Sequence, residues 1–105
     1  MIIQINTDNN INLKENEFES FQQQVNDSLG HYTEHISRIE IHLSDENGNK
    51  DGNKDKRCML EARIEGKQPI AVVSYQNTIE ESLNDAIDKI CASLKTLLGQ
   101  MKEHR

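Results

Sequence analysis

The feature that most constrains this chain is a change in the spacing of its hydrophobic residues. Between 38 and 43, apolar residues alternate with charged ones, which indicates a strand with one buried face. Between 79 and 101, apolar residues recur every three or four positions, which indicates a helix buried along one broad stripe. A chain of 105 residues has the length of one domain, which argues against a two-domain enzyme with an interdomain cleft.

Four segments have the spacing and composition of β-strands. The first, 2–6, is a β-branched run that ends in the turn-prone sequence TDNN. The second, 38–43, is followed by the polar segment 44–56, which contains no hydrophobic residue and is expected to be an exposed loop. The third and fourth, 58–65 and 69–75, are separated by a short glycine-containing turn, so they are predicted to form a hairpin.

Two segments have the spacing of helices buried on one side. The first is predicted to begin at Asn12 as the cap, with Glu15 closing a capping box, and its apolar stripe runs to Tyr32. The second is predicted to begin after Thr78, whose capping-box partner is Glu81.

The order of these segments predicts an α+β fold of the type β-α-β-β-β-α. A first crossover of about thirty residues should place the second strand parallel to the first, and the rest of the sheet should be antiparallel. The expected architecture is therefore one four-stranded mixed sheet with two helices packed on one face, forming a single domain over 1–105. The opposite face should meet water or a partner through Glu40, His42, Glu61 and Arg63.

Charge limits the partners of the chain. It has 12 basic and 18 acidic residues, a net charge of −6, which argues against indiscriminate binding to nucleic acid or to an anionic membrane. Within residues 1–30, one lysine stands against five acids, whereas basic residues cluster at Lys50, Lys54, Lys56 and Arg57. Two interpretations of this cluster stay open, a solvated loop of mixed charge and a loop that faces RNA.

Metal sites and catalysis have weak support in the sequence. The segment from Asn47 partly matches a calcium-binding loop, but its twelfth position is Cys58 instead of glutamate and its flanks are predicted strands. His31 and His35 are four residues apart near the expected end of a helix, where exposed histidines are the favoured interpretation. The sequence contains no nucleophile elbow, phosphate loop or metalloprotease helix, so no enzymatic activity, metal or cofactor is predicted.

The location of the chain is predicted from what its sequence lacks. No apolar run is long enough for a membrane-spanning helix, and the N-terminus has no signal-peptide pattern, so we expect a cytoplasmic protein. Cys58 and Cys91 do not form a CxxC pair and are expected to be reduced, buried and unreactive.

Four stretches together resemble the ribosome hibernation-promoting factor family, also called ribosome-associated inhibitors or ribosomal subunit interface proteins. These are IIQINTDNNI, HYTEHISRIEIHLSD, DKRCMLEARIEGKQPIAV and the helical AIDKI, and the similarity extends from Ile3 to about Lys102. The resemblance implies a short-form, non-catalytic protein of stress or stationary phase. Such a protein occupies the decoding channel of the small ribosomal subunit, inhibits translation and stores idle ribosomes.

The sequence also departs from the family's basic character. The first helix, FESFQQQVNDSLG, has no basic residue, and two positions that are commonly basic in the family hold His35 and Ala92. The residues expected to contact ribosomal RNA are Lys54, Lys56, Arg57, Arg63, Lys89 and Lys95. The alternative is an acidic protein-interaction module that kept the fold but lost RNA binding, with a protein partner held at the exposed sheet face or at the first helix. The oligomeric state is left open.

Overall fold

A computed structural model describes residues 1–46 and 53–103, with side chains as far as residue 99. In chain order the elements are β1 (Ile2–Thr7), α1 (Glu15–Leu29), a 3₁₀ turn (Gly30–Tyr32), β2 (Ile36–Asp45), β3 (Lys56–Ile64), β4 (Ile70–Gln76) and α2 (Ile79–Glu103). The predicted order β-α-β-β-β-α is confirmed.

The four strands form one mixed sheet in the order β1-β2-β3-β4. β1 runs parallel to β2, with Ile2 opposite Arg38, as the long first crossover predicted. β2 pairs with β3, and β3 with β4, in antiparallel register. β1 and β4 are therefore the two edges of the sheet. Pro69 directly precedes edge strand β4, a position where its missing amide donor is tolerated.

The hydrophobic core lies between one face of the sheet and the two helices. Alternate positions of β2 and β3 point into it, and the apolar stripes of α1 and α2 cover them. The most enclosed side chains are Val25, Leu29, Ile39, Ile41, Leu60, Leu83, Ile90 and Leu94. Burying such side chains contributes about 1.5–3 kcal/mol each to folding, which makes this layer the main source of stability.

We call the sheet surface opposite the helices the outer face. It carries the strand positions that alternate with the buried ones, including the four expected there from the sequence, Glu40, His42, Glu61 and Arg63. Arg38, Arg57 and Met59 belong to the same face, as does Tyr75 of β4, which is 46% exposed. The outer face is therefore mostly polar, with one exposed aromatic ring.

The two helices begin differently. At α2 the prediction is confirmed: the Glu81 amide donates to Thr78 Oγ1 at 3.1 Å, and the Thr78 hydroxyl donates to the Glu81 carboxylate. At α1 the predicted cap, Asn12, is wrong, because the helix begins two residues later with Lys14 as the N-cap. The Lys14 amide donates to Glu17 Oε1 at 3.1 Å, so the carboxylate at the third helical position supplies the cap. Over its described residues, neither helix has the length and apolarity to cross a membrane.

The ends of the segment 44–56 differ from the exposed loop that was expected. β2 extends to Asp45 and β3 begins at Lys56, and both Asp45 and Asp55 are buried. The Glu46 amide donates to the Asp55 carbonyl at 2.9 Å, which continues the pairing one step beyond the strands. The strands extend because the Lys56 ammonium offsets the charge of the two carboxylates at this end of the sheet. The asparagine-glycine and aspartate-glycine turns at 47–48 and 51–52, and most of the calcium-like pattern, lie outside the described residues.

Candidate nucleic-acid interface

The six basic residues expected to contact RNA occupy three separate surfaces. Lys54 and Lys56 lie at the end of the sheet where β3 begins, Arg57 and Arg63 project from the outer face, and Lys89 and Lys95 belong to α2. The fold thus distributes these charges around the molecule instead of gathering them in one patch.

Lys56 is held between two buried carboxylates. Its Nζ lies 2.9 Å from Asp55 Oδ1 and 3.2 Å from Asp45 Oδ2. The hydrogen bond to Asp55 is the main reason that the pKa of Lys56 is raised above its ordinary value, and Asp45 adds to the effect. Most of the charge of Lys56 is thus neutralised inside the fold, which limits what it offers to a phosphate.

Beside the Lys56 ion pairs, the sheet is joined to the turn after β1. The backbone amide of Asp45 donates to Asp8 Oδ2 at 3.2 Å, and the Asp8 amide donates to the Leu43 carbonyl at 3.1 Å. The Asn10 side-chain amide donates to the Asp45 carbonyl at 3.3 Å. The turn that follows β1 is therefore tied to the end of β2, beside the Lys56 ion pairs.

Lys54 occupies a turn just before β3 with its side chain in solvent. Its φ of 55° is in the left-handed region, which non-glycine residues adopt infrequently. The Lys54 amide donates to Asn77 Oδ1 at 2.8 Å, and this bond ties the turn to the segment between β4 and α2. The exposed ammonium is therefore presented from an anchored backbone.

Arg57 lies beside the exposed ring of Tyr75 on the outer face. The two residues are direct cross-strand partners, and an Arg57 Nη2 atom is 3.8 Å from the sulfur of Met59. Glu46 is a distant ion partner at 3.9 Å and is itself half in solvent. A half-buried arginine paired across strands with an exposed tyrosine is a combination that binds unpaired bases by stacking and phosphate by charge. Sequence reasoning missed Tyr75. Its side chain lies on the outer face because the preceding residue, Ser74, is buried and side chains alternate along a strand.

Arg63 belongs to an ion-pair network at the centre of the outer face. Its guanidinium contacts Glu40 at 3.3 Å and Glu61 at 3.3 Å. Glu40 also pairs with Arg38 at 3.1 Å and contacts the His42 ring at 3.3 Å. The charges of two arginines and two glutamates cancel, so this central part of the outer face has little net charge. The part of the face around Arg57 differs, because its one carboxylate partner is distant.

Lys89 is engaged at the edge of β4. Its Nζ donates to the Val73 carbonyl at 2.9 Å and lies 3.2 Å from Asp85 Oδ2. Ser74 donates its hydroxyl to the same carboxylate at 2.5 Å. The Ser74 hydrogen bond, followed by Lys89, lowers the pKa of Asp85. Lys89 thus covers a backbone carbonyl that an edge strand would otherwise leave open.

The helices differ sharply in positive charge. Lys95 is exposed on α2, where it is available to an anionic partner. α1 has Glu15, Glu17, Glu19 and Asp27 and no lysine or arginine. Any contact of this chain with phosphate therefore depends on residues of α2 and on residues at the end of the sheet where β3 begins.

The two thiols lie outside these surfaces. Burial raises the pKa of Cys58 to about 12, and burial also raises the pKa of Cys91, with a further contribution from Asp88. Because the thiolate is the nucleophilic form, neither cysteine is activated at neutral pH. Among residues 1–46 and 53–99, no three His, Cys, Asp or Glu side chains come together as ligands for a metal ion.

Two solved structures closely match this arrangement of strands and helices. The Protein Y N-terminal domain from Thermus thermophilus superimposes with a TM-score of 0.72 at 13% identity, over 92% of this chain and 99% of that one. The chain has the fold of the Protein Y N-terminal domain. A ribosomal subunit interface protein from Coxiella burnetii superimposes with a TM-score of 0.71 at 15% identity, over 94% of this chain and 99% of that one. No protein-family model and no curated protein sequence matches this chain.

Proposed function

We propose that this protein is a ribosome-associated translation inhibitor of the hibernation type, binding the small ribosomal subunit near the decoding channel in the cytoplasm. The observation that carries the proposal is the match of fold over nearly the whole chain to a ribosomal subunit interface protein. Both matched structures are covered to 99% of their length, so the whole of the shared domain is present. The proposed activity is binding without a chemical step.

The exposed cations would supply the contacts to ribosomal RNA. Lys54 and Arg57 lie close in sequence at the β3 end of the sheet, and Tyr75 next to Arg57 offers a surface for base stacking. Lys56, Arg63 and Lys89 already have carboxylate partners, so they would contribute less. Affinity would then rest on few phosphate contacts, each adding about 0.7 to 0.9 to the slope of log affinity against log salt.

Co-sedimentation with separated ribosomal subunits tests the proposal. On sucrose gradients, the protein should migrate with small subunits at about 50 mM salt and dissociate substantially at about 200 mM. Absence from the small-subunit fractions at both salt concentrations would contradict it.

A charge-reversal pair identifies the surface that binds. The double variant Lys54→Glu/Arg57→Glu should lose both affinity and salt dependence. The matched control, Lys14→Glu/Lys67→Glu, changes net charge by the same amount at exposed positions outside the proposed surface and should bind like the unmodified protein. Equal loss of affinity in the two variants would mean that net charge governs binding, and not the positions of Lys54 and Arg57.

The ion pairing of the basic residues favours a second candidate, the acidic protein-interaction module. Four of the six expected RNA contacts have carboxylate partners within the fold, Arg57 at the longest distance, and α1 has four carboxylates and no cation. Such a module would bind a basic protein surface without RNA. A pull-down dominated by a non-ribosomal protein and insensitive to ribonuclease, together with normal binding of that protein by Lys54→Glu/Arg57→Glu, would favour this candidate over the first.

A further inference from the structure

The free edge of β1 lacks the features by which sheet edges are usually protected. β1 pairs with β2 on one side only, so alternate residues present unpaired N–H and C=O groups on the other side. Its sequence, IIQINT, contains no charged residue and no proline and is rich in β-branched side chains. Ile2 at its start is 60% exposed. These are the properties of a strand that accepts another strand.

The opposite edge is closed by comparison. Pro69 stands just before β4, and Lys89 places its ammonium 2.9 Å from the Val73 carbonyl. A lysine and a proline at an edge both oppose the addition of a further strand. The two edges of one sheet therefore differ, and only β1 is unobstructed among the described residues.

An open groove runs beside the free edge of β1, between the strand and α1. Met1 and Ile3 line it on the strand side, and α1 lines it with Glu19, Gln22, Gln23 and Asn26. Ile3 is only half-buried, whereas Ile39, its direct partner on β2, is completely buried. The apolar layer thus continues to the edge of the sheet and is left partly uncovered there.

The charge around the groove selects the occupant. α1 contributes four carboxylates and no cation, and Glu19 belongs to the groove itself. A second copy of this chain, with its own net charge of −6 and acidic α1, would be repelled. A segment with lysine or arginine would be attracted, and its extended backbone would pair with the open groups of β1.

We propose that β1 is a docking site for an extended, basic segment of a partner protein, which adds to the sheet as a fifth strand. Apolar side chains of the segment cover Ile3 and Met1, and its cations face Glu19 and the amide side chains of α1. This site is distinct from the proposed RNA contacts, because those residues lie on β3, on α2 and in the turn before β3.

The probe, called the valine-lysine peptide, is an eight-residue peptide with blocked termini and the sequence valine–threonine–lysine–threonine repeated twice, which places valine and lysine together on the face that meets the groove. In ¹⁵N-resolved NMR titrations it should shift the amide signals of 2–7 and of the α1 residues that line the groove, and slow hydrogen exchange at β1. A valine-glutamate peptide of equal length should leave these signals unchanged. A valine-lysine peptide methylated on alternate backbone nitrogens on its pairing side should bind at least about tenfold more weakly, because the strand hydrogen bonds are lost.

A matched pair of variants separates the groove from net charge. Glu19→Lys should weaken binding of the valine-lysine peptide about threefold or more. Glu65→Lys, at an exposed turn position two strands away from β1 and outside the groove, makes the same change in net charge and should have little effect. Equal weakening by the two variants, or shifts confined to the outer face or α2, would overturn the proposal. Concentration-dependent protection of β1 without peptide would also overturn it, by making a second copy of the chain the occupant.

Discussion

β1 and α1, at one side of the molecule, differ from β4 and α2, at the other, in burial and in charge. No residue of β1 is buried, whereas α2 buries a continuous apolar stripe from Leu83 to Leu98. α1 lacks basic residues, while α2 has Lys89 and Lys95. α2 therefore contributes more buried apolar surface than β1, and the β4 side closes its own sheet edge. The β1 side is held more weakly and keeps its polar groups open to partners.

Truncation of one core residue on each side should expose the largest difference. Leu94 on α2 is fully buried, so Leu94→Ala should lower the free energy of unfolding by about 2–5 kcal/mol. Ile5 on β1 is only half-buried, so Ile5→Ala should cost about 1 kcal/mol. Urea denaturation monitored by circular dichroism measures both. Equal losses would show that the two sides contribute alike to stability.

Lys56, on a central strand between the two sides, should make a pH-dependent contribution to stability. Because its pKa is raised in the folded protein, this contribution is fully present below about pH 10.4 and is lost as pH rises through the folded pKa. Lys56→Met should destabilise the protein at pH 7, since Asp45 and Asp55 lose their shared cation. Lys56→Met should also lose less stability than the unmodified protein as pH rises above about 10.4.

The control for this experiment is Lys67→Met. Lys67 is exposed in the turn between β3 and β4, so its removal should leave stability at pH 7 nearly unchanged. Thermal unfolding followed across the pH range measures both variants. The same alkaline profile in Lys56→Met and the unmodified protein would contradict the role given to the ion pairs.

The helix caps should give effects of opposite sign on the two sides. Thr78→Ala removes the hydroxyl that accepts the Glu81 amide and should cost about 1 kcal/mol. Lys14 has an extended N-cap conformation but no side-chain cap, so Lys14→Asp should stabilise the protein by about 0.5–1 kcal/mol. Denaturant midpoints measure both changes. An unchanged midpoint for Lys14→Asp would mean that Glu17 alone satisfies the start of α1, and a lowered midpoint would contradict the expected stabilisation.

The smallest expected effects concern Asp85 at the closed edge. Its lowered pKa means that its contribution to stability is present above the ordinary pKa of 3.8 and is lost as pH falls through the folded value. Ser74→Ala and Lys89→Ala should each raise the pKa of Asp85, because each removes a hydrogen bond to its carboxylate. Carboxyl ¹³C NMR titration measures both, and an unchanged pKa in either variant would contradict the role given to that residue.

Short-range patterns predicted most of the fold. Alternation in β2 and β3 separated buried Ile41 and Leu60 from outward Glu40 and Glu61, and the parallel pairing of β1 followed from the length of its crossover. The start of α1 was misassigned because asparagine is a preferred N-cap residue and lysine is not. The helix begins after Lys14, whose backbone amide donates to the Glu17 carboxylate.

The partners of the basic residues could not be predicted from the positions of those residues along the chain. Lys56 meets Asp45 because β2 and β3 pair in one particular register, which places polar residues in strands where an exposed loop was expected. Arg63 meets Glu40 across the same pair of strands, and Lys89 meets a carbonyl of β4. These contacts depend on tertiary geometry, so the sequence located the cations but not their partners.

The parallel pairing of β1 also bears on how the chain acquires its structure. β2, β3 and β4 are neighbours in sequence as well as in the sheet, whereas β1 reaches β2 only after α1 has been formed and turned back. Contacts that close long loops cost more conformational entropy and form later than local ones. We therefore expect the three-stranded meander to assemble first. Of the four strands, the one that leaves the ribosome first during synthesis would then be the last to find its place in the sheet.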